Sequence, residues 1–490
     1  MAFILKLTDG TLVADFISAG TGFHLEDAGF KIGPAKQKEM WGGGSIFSKS
    51  GAQIVANTLE NRELEITFTL SGATPAALST AASTIENLIE AARTRSKDRM
   101  GARVELQYAW NAATATTYFE VITGEVLWPD DVMSVEQIHQ VNADGDLEIW
   151  GMQLTLTVTP AASNISPVNG TPLAIQLTNG NGTDVTTGLA VWNHNDAGTG
   201  HDNYVEIDGA DLLGNYPMKT VLSLQSDSGE SEKTSVVYIG ARVGSFAFKS
   251  ILEDDAASYA KGSPTPTVDV DYSSAGTHTA VSLTSTTGES LFKWTLTDQE
   301  TEDTRGAFRF FGRVAPSTHW PSNANFRVVV LYGTTSLYAS EWRKPVSTTI
   351  ELFDLGTIFL PPWLSGVSTA LAGLVISLEG KLDAAGTQAV DLDYVALLPQ
   401  DGGYRVLKFR TTGMAQTEYL IDDGWEDSVY HINTSAKKTG IPFGIMQRIS
   451  LTPAKDVRLY FLMEGTAQNA EITRKLKVIV NVAGQYNGVA

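Results

Sequence analysis

The chain has 490 residues, with 55 acidic against 35 basic side chains and a formal net charge of −20. An acidic chain repels a polyanion unless its Lys and Arg are segregated on one face, which excludes a simple nucleic-acid coat. Cysteine is absent, removing disulfides, thiolate metal sites and cysteine nucleophiles together.

At roughly 150 residues per domain, the length implies two to four folded units. A composition of 43% hydrophobic and 18% charged residues describes a globular chain. The opening ten residues hold a short apolar run interrupted by Lys6, with no small-residue cleavage site, and do not read as a signal peptide.

In chain order, residues 3–7 and 11–16 flank Thr8-Asp9-Gly10, a hairpin signal because Asp-Gly supplies the positive φ values of a tight turn. Residues 62–70 alternate polar and apolar and predict a half-buried strand. From Thr74 the period changes. Thr74 can cap, Pro75 fits the first turn, and Leu78, Ala81, Ala82, Ile85, Leu88, Ile89 and Ala92 recur at helical spacing. Arg93, Arg95 and Lys97 gather where the helix dipole favours cations, so one amphipathic helix is expected over 75–98, packed on a sheet. Strands resume at 103–108 and 118–128. In 147–160, Trp150, Met152, Leu154, Leu156 and Val158 are placed on one face and Gln153, Thr155, Thr157 and Thr159 on the other.

After Pro160 the composition turns linker-like, with Asn-Gly and Pro clusters over 161–185. Residues 186–400 carry many short strands and no long helix, among them 220–225, 235–239, 246–250, 291–296, 307–314, 326–332, 348–352, 374–378 and 390–398. This pattern predicts an antiparallel sandwich of jelly-roll type. Residues 355–378 contain no charge and are long enough for a bilayer span. Pro361-Pro362 and the Ser/Gly/Thr stretch after it favour two buried strands joined by a loop. The last ninety residues alternate at 456–463 and 473–482 and complete a sheet begun elsewhere.

Reaction chemistry finds little footing. No G-x-S-x-G elbow, H-E-x-x-H pair, phosphate loop or dinucleotide fingerprint occurs. Ser226-Asp-Ser-Gly229 reads as a turn and not as a nucleophile segment. Asn142, Asp144, Asp146 and Glu148 alternate as in calcium loops, but the glycine falls too early and a hairpin turn is the better reading. His194, His201 and Asp202 read as solvated loop residues. Among the paired acids, Asp391 and Asp393 share one face of a predicted strand and are the candidates for glycoside chemistry. Trp320, Trp342 and Trp363 sit beside turn-forming residues, suited either to stacking on a sugar or partner or to plugging the end of the sandwich core.

Residues 1–160, with the opening hairpin, the strand 62–70, the helix 75–98 and the long strands after it, resemble the ring-forming domain of distal tail proteins of long-tailed bacteriophages, within the wider tail-tube-like superfamily. Asp391-Leu-Asp-Tyr-Val-Ala-Leu-Leu-Pro399 is similar to the last strand of carbohydrate-binding-module jelly rolls that some tail proteins carry. The ending, from Leu420-Ile-Asp-Asp-Gly-Trp425 through Arg458-Leu-Tyr-Phe-Leu462 to 473–482, resembles termini of phage tail proteins.

The resemblance implies a mainly β fold: a tail-tube-like sandwich or barrel with one packed helix over 1–160, a linker over 161–185, a jelly roll over 186–400, and a C-terminal β segment over 401–490. It implies a non-enzymatic virion protein of the tail tip, assembled in the host cytoplasm without cofactor or metal. Its partners would be copies of itself in a sixfold ring, tail-tube and hub proteins, and a host glycan at the second domain, with DNA passing an acidic lumen unbound. The competing readings are a tail-tube subunit with a decoration domain and a secreted carbohydrate-binding or glycan-degrading protein.

Overall fold

The computed structural model describes residues 3–42, 53–98, 101–109, 116–129, 140–141, 145–166, 168–193, 201–227, 234–244, 250–253, 258–259, 261, 267–268, 277–297, 300, 306–314, 320–333, 335–345, 352–360, 373–408, 413–425, 428–436, 438–439, 449, 451–465 and 474–486. The fold is mainly β and divides into two compact units. The first comprises Met1–Leu173, Leu213–Tyr216 and Ala483–Ala490; the second comprises Ala174–Leu212 and Pro217–Val482.

The first unit is built on β1 (Ile4–Thr8), β2 (Val13–Asp15), β3 (Phe23–Ile32), β4 (Gln37–Gly42), β5 (Gln53–Leu59), β6 (Arg62–Gly72), α1 (Pro75–Asp98), β7 (Glu105–Ala109), β8 (Thr117–Leu127) and β9 (Leu147–Val158). Its main sheet runs β2-β1-β7-β8-β9-β6-β3. The two ends of that order meet: the Leu25 N–H donates to the Phe16 carbonyl at 2.9 Å, and the Phe16 ring packs against Phe23 and Phe68. A sheet whose ends meet leaves fewer strand edges exposed. Thr74 caps α1 by accepting from the Ala77 N–H at 3.1 Å. The helix buries Leu78, Ala81, Ile85, Leu88, Ile89 and Ala92 against the sheet, the stripe its spacing predicts. Gly124 in β8 permits this approach, because a Cβ there would lie 2.7 Å from Leu156 Cδ2 and 3.4 Å from Ile89. The expected linker holds short strands; Ala162–Ser163 pairs with Gln485–Tyr486, returning the end of the chain to this unit.

The second unit contains two interleaved sandwiches. Four strands lead in: β10 (Leu189–Trp192), β11 (Tyr204–Ile207), β12 (Thr220–Ser226) and β13 (Thr234–Val243). Eight follow: β14 (Thr277–Leu283), β15 (Glu289–Thr295), β16 (Gly306–Val314), β17 (Ala324–Tyr332), β18 (Thr335–Ala339), β19 (Leu352–Leu360), β20 (Leu374–Leu382) and β21 (Gln388–Pro399). Four lead out: β22 (Tyr404–Lys408), β23 (Tyr419–Asp423), β24 (Val457–Gly465) and β25 (Lys475–Val482).

The eight middle strands form sheets β14-β21-β16-β19 and β15-β20-β17-β18. Numbered one to eight in chain order, these read 1-8-3-6 and 2-7-4-5, the double Greek key of a jelly roll. The outer eight form β10-β25-β12-β23 and β11-β24-β13-β22, and their numbering gives the same two orders. One jelly roll is therefore inserted between the fourth and fifth strands of another. The insertion leaves and rejoins at neighbouring backbone: Ala241 donates to Gly403 and accepts from Gly402, at 2.9 and 3.0 Å. Residues 404–482 thus supply strands to sheets begun at 189–243, a return that alternation alone could not assign. Strands 352–360 and 374–382 confirm the two-strand reading of the uncharged stretch, while the strand expected at 246–250 falls mostly outside the described residues.

Three apolar layers result. Val237, Ile239, Leu459 and Phe461 face the core of the outer jelly roll, and Phe308, Phe310, Val395 and Leu397 that of the inner one. Between them, the alternate residues Val236, Tyr238, Tyr460, Leu462, Phe311, Tyr394, Ala396 and Leu398 form a third cluster, with the Tyr238 and Phe311 rings 4.7 Å apart. Strands buried on both faces read as continuous apolar runs, as 394–398 does.

Two measurements test this account. Phe311→Ala should cost about 3–5 kcal/mol in urea denaturation, as large-to-small changes in packed cores do; a loss typical of surface sites would mean the middle layer is not packed. The Asp15 carboxyl is opposed by burial but held down to about 2 by hydrogen bonds from Ser18, Lys6 and the Ile17 and Ser18 backbone. The depressed value means that ionised Asp15 favours the folded state. Its contribution is present above the ordinary value of 3.8 and is lost as pH falls toward about 2. Asp15→Asn should flatten the stability–pH curve across that window; an unchanged slope would refute the assignment.

Candidate functional site

The acids singled out for chemistry are engaged in structural pairs. Asp391 accepts from His278 Nδ1 at 2.5 Å, while Asp393 is bound by Arg313, and this second pair is buried almost completely. Arg313 pairs with Tyr394 and Val314 with Leu392, so Asp393 falls in a bulge of the β16–β21 ladder. The two carboxylates meet separate side chains. They do not flank a shared cleft. Arg405 likewise holds Asp422 at 2.6 Å, and Asp227 is bound by Lys475 at 3.1 Å. His201 stacks on Trp192 at 4.2 Å, and Asp202 accepts from the Gly180 N–H. His194, Asn142 and Asp144 lie outside the described residues. Among the described residues, no three His, Asp or Glu side chains are grouped to hold a metal ion, and no helix is long and apolar enough to cross a membrane.

The tryptophans separate by environment. Trp320 is fully buried in the inner jelly roll, packed edge-on against Phe326 at 4.7 Å and beside Phe353, so it plugs the core and offers no face to a ligand. Trp342 is half-buried, with Arg327 and Lys381 over its ring. Trp363 lies outside the described residues.

Sequence patterning missed a different site, in the first unit. Trp150 was expected on the core face with Met152 and Leu154, yet it is 58% exposed. The cause is a bulge: the β9–β6 register shifts between Ile149 and Met152, with Gly151 at φ +76° and its N–H donating to Glu26 Oε1 at 2.8 Å. One extra residue turns Trp150 outward. Leu127 and Trp128, at the same end of the neighbouring β8, are 45% and 41% exposed.

Beside this apolar rim runs a strand edge with no partner strand among the described residues. β8 pairs with β9 over 121–127, but on its other side β7 reaches only residue 120, and the Val104 carbonyl takes the Val121 N–H. Beyond that, no described strand continues the ladder; the Gly124 carbonyl accepts from Arg93 Nη2 at 2.6 Å. Likewise, β4 and β5 pair only with each other among the described residues. A strand edge left without a described partner, beside exposed tryptophans, is the physical signature of a partner-binding surface. The isolated glycine between Trp150 and Met152 was the one signal in the sequence for the bulge.

If Asp393 is a structural ion-pair partner, Asp393→Asn leaves Arg313 buried without its counter-charge and should destabilise the fold by about 3–5 kcal/mol in urea denaturation. A change below about 1 kcal/mol, the range of exposed pairs, would contradict the burial argument.

No family model matches the sequence, and no curated protein matches it. Solved structures align along most of the chain with little superposition. The Dit (gp 19.1) protein of phage SPP1, a paradigm of the hub adsorption apparatus in phages infecting Gram-positive bacteria, has 9% identity and a TM-score of 0.30, covering 98% of this chain and 99% of that one. The phage P2 baseplate in its activated conformation with Ca has 9% identity and a TM-score of 0.27, with both chains fully covered. The infectious bursal disease virus VP2 subviral particle has 9% identity and a TM-score of 0.15 over 56% of this chain and 66% of that one. Superposition this loose carries no argument about the chain.

Proposed function

We propose that the protein is a structural component of a bacteriophage tail, a distal tail protein at the tail tip that joins the tail tube to the host-binding apparatus without doing reaction chemistry. The observation that carries this reading is the edge of β8 that no described strand continues beyond residue 121, beside Leu127, Trp128 and Trp150, in the part of the chain that resembles ring-forming tail domains. Copies of the chain would add strands across that edge, with residues 1–160 as the ring-forming part, and the exposed tryptophans would be buried at the seam. An acidic chain suits a passage through which DNA must slide without adhering. The inner jelly roll would dock on a host glycan, with half-buried Trp342 as its aromatic contact. A tail-tube subunit differs from a tip ring by copy number per virion. The glycan-degrading reading finds no support in Asp391 and Asp393, since each is bound to its own partner, His278 and Arg313.

Light scattering and negative-stain images of the purified full chain test the assembly. Closed rings are expected, and Trp128→Ser with Trp150→Ser should return the protein to monomers at equal concentration with an unchanged unfolding midpoint. A wild-type chain that stays monomeric at high micromolar concentration and is missing from the tail would overturn the proposal.

A further inference from the structure

We infer that the inner jelly roll binds an acidic polysaccharide beside Trp342, with Lys381 and Arg327 meeting its acid groups. The inference rests on the glycan-docking reading and names its ligand class. Sheet β14-β21-β16-β19 turns its outer face to the middle apolar layer, while Arg327, Lys381 and Lys293 lie on β15-β20-β17-β18, whose outer face also carries buried Ser377 and Val329. Trp342 packs there over Gly288, where a Cβ would lie 3.1 Å from the indole Cζ2. The Arg327 guanidinium and the Lys381 ammonium sit 4.4 and 4.6 Å from the ring centroid. Arg327 also bonds Glu379 at 2.7 Å, which fixes its direction.

Lys381 has no carboxylate at ion-pair distance among the described residues. Asp383, the acid that feels its charge, is already taken by Lys344 at 2.5 Å and Asn325 at 2.8 Å. Lys293, opposite Ser377 on the next strand, is also without an ion pair among the described residues. In a chain of net charge −20, two ammonium groups without an ion pair among the described residues, beside a cation-clad indole, run against the average surface. A neutral sugar needs a bare ring face for stacking, and here cations lie over the ring. What fits is a polymer whose carboxylate or phosphate groups meet Lys381 and Arg327 while its sugar carbons lie along the indole edge.

Calorimetry on the full chain tests this with three probes: polygalacturonate for carboxylate, a poly(glycerol phosphate) for phosphate, and neutral dextran. At least one acidic polymer should bind and dextran should not, with affinity falling as salt rises. Lys381→Glu and Trp342→Ala should each weaken binding by about tenfold or more, Trp342→Phe should retain part of it, and the melting temperature should not move. Binding to dextran as strong as to either acid, or full affinity in Lys381→Glu, would overturn the acidic class and leave glycan docking intact. Binding to none of the three would overturn both, whereas ring assembly is judged by microscopy alone.

Discussion

The apolar layer between the two jelly rolls is the contact on which the second unit depends. Tyr238 and Tyr460 from one side and Phe311 and Tyr394 from the other remove from water faces that a lone sandwich would leave wet. Without that layer, strands β13, β21 and β24 would expose continuous apolar surface, and the insertion would be an aggregation hazard. Close approach is needed as well: a Cβ on Gly240 would lie 2.5 Å from the Pro399 carbonyl oxygen, so the rejoining strand demands glycine there. The middle layer also carries polar groups. Burial raises the Tyr238 and Tyr404 hydroxyls well above the ordinary tyrosine range, keeping them neutral beside the Arg309–Asp354 pair.

Buried charge is handled by pairing. Arg313–Asp393, Arg405–Asp422 and Arg458–Glu206 place guanidinium groups within the jelly-roll unit, each with a carboxylate partner. Such pairs add little net stability over apolar packing, yet they are costly to break, so they fix one arrangement of strands. The same logic makes Lys381 and Lys293 informative, because among the described residues neither has a carboxylate at ion-pair distance.

The first unit shows a single residue changing a surface. Alternation places Trp150 in the core, and the bulge at Gly151 moves it to the rim beside Trp128 without disturbing Met152, Leu154 or Leu156, which stay buried. The glycines at 124 and 151 act in opposite senses: one lets the helix close on the sheet, the other turns an aromatic ring away from it.

Local periodicity by itself determined the helix over 75–98, most strands, the division of 355–378 into two strands and the jelly-roll character of the middle of the chain. These follow from the spacing of apolar residues, which the backbone reads within a few turns. Pairing between strands distant in sequence was decided only in three dimensions. The sequence suggests one sandwich where two are nested, because the register of Tyr404 against Gly240, or of Leu476 against Val191, depends on which faces find a core. The same holds for side-chain roles. Trp320, Trp342 and Trp150 are alike in composition, and only packing made one a core plug, one a cation-covered surface ring and one an exposed rim, since burial belongs to the assembled sheets and not to the residue.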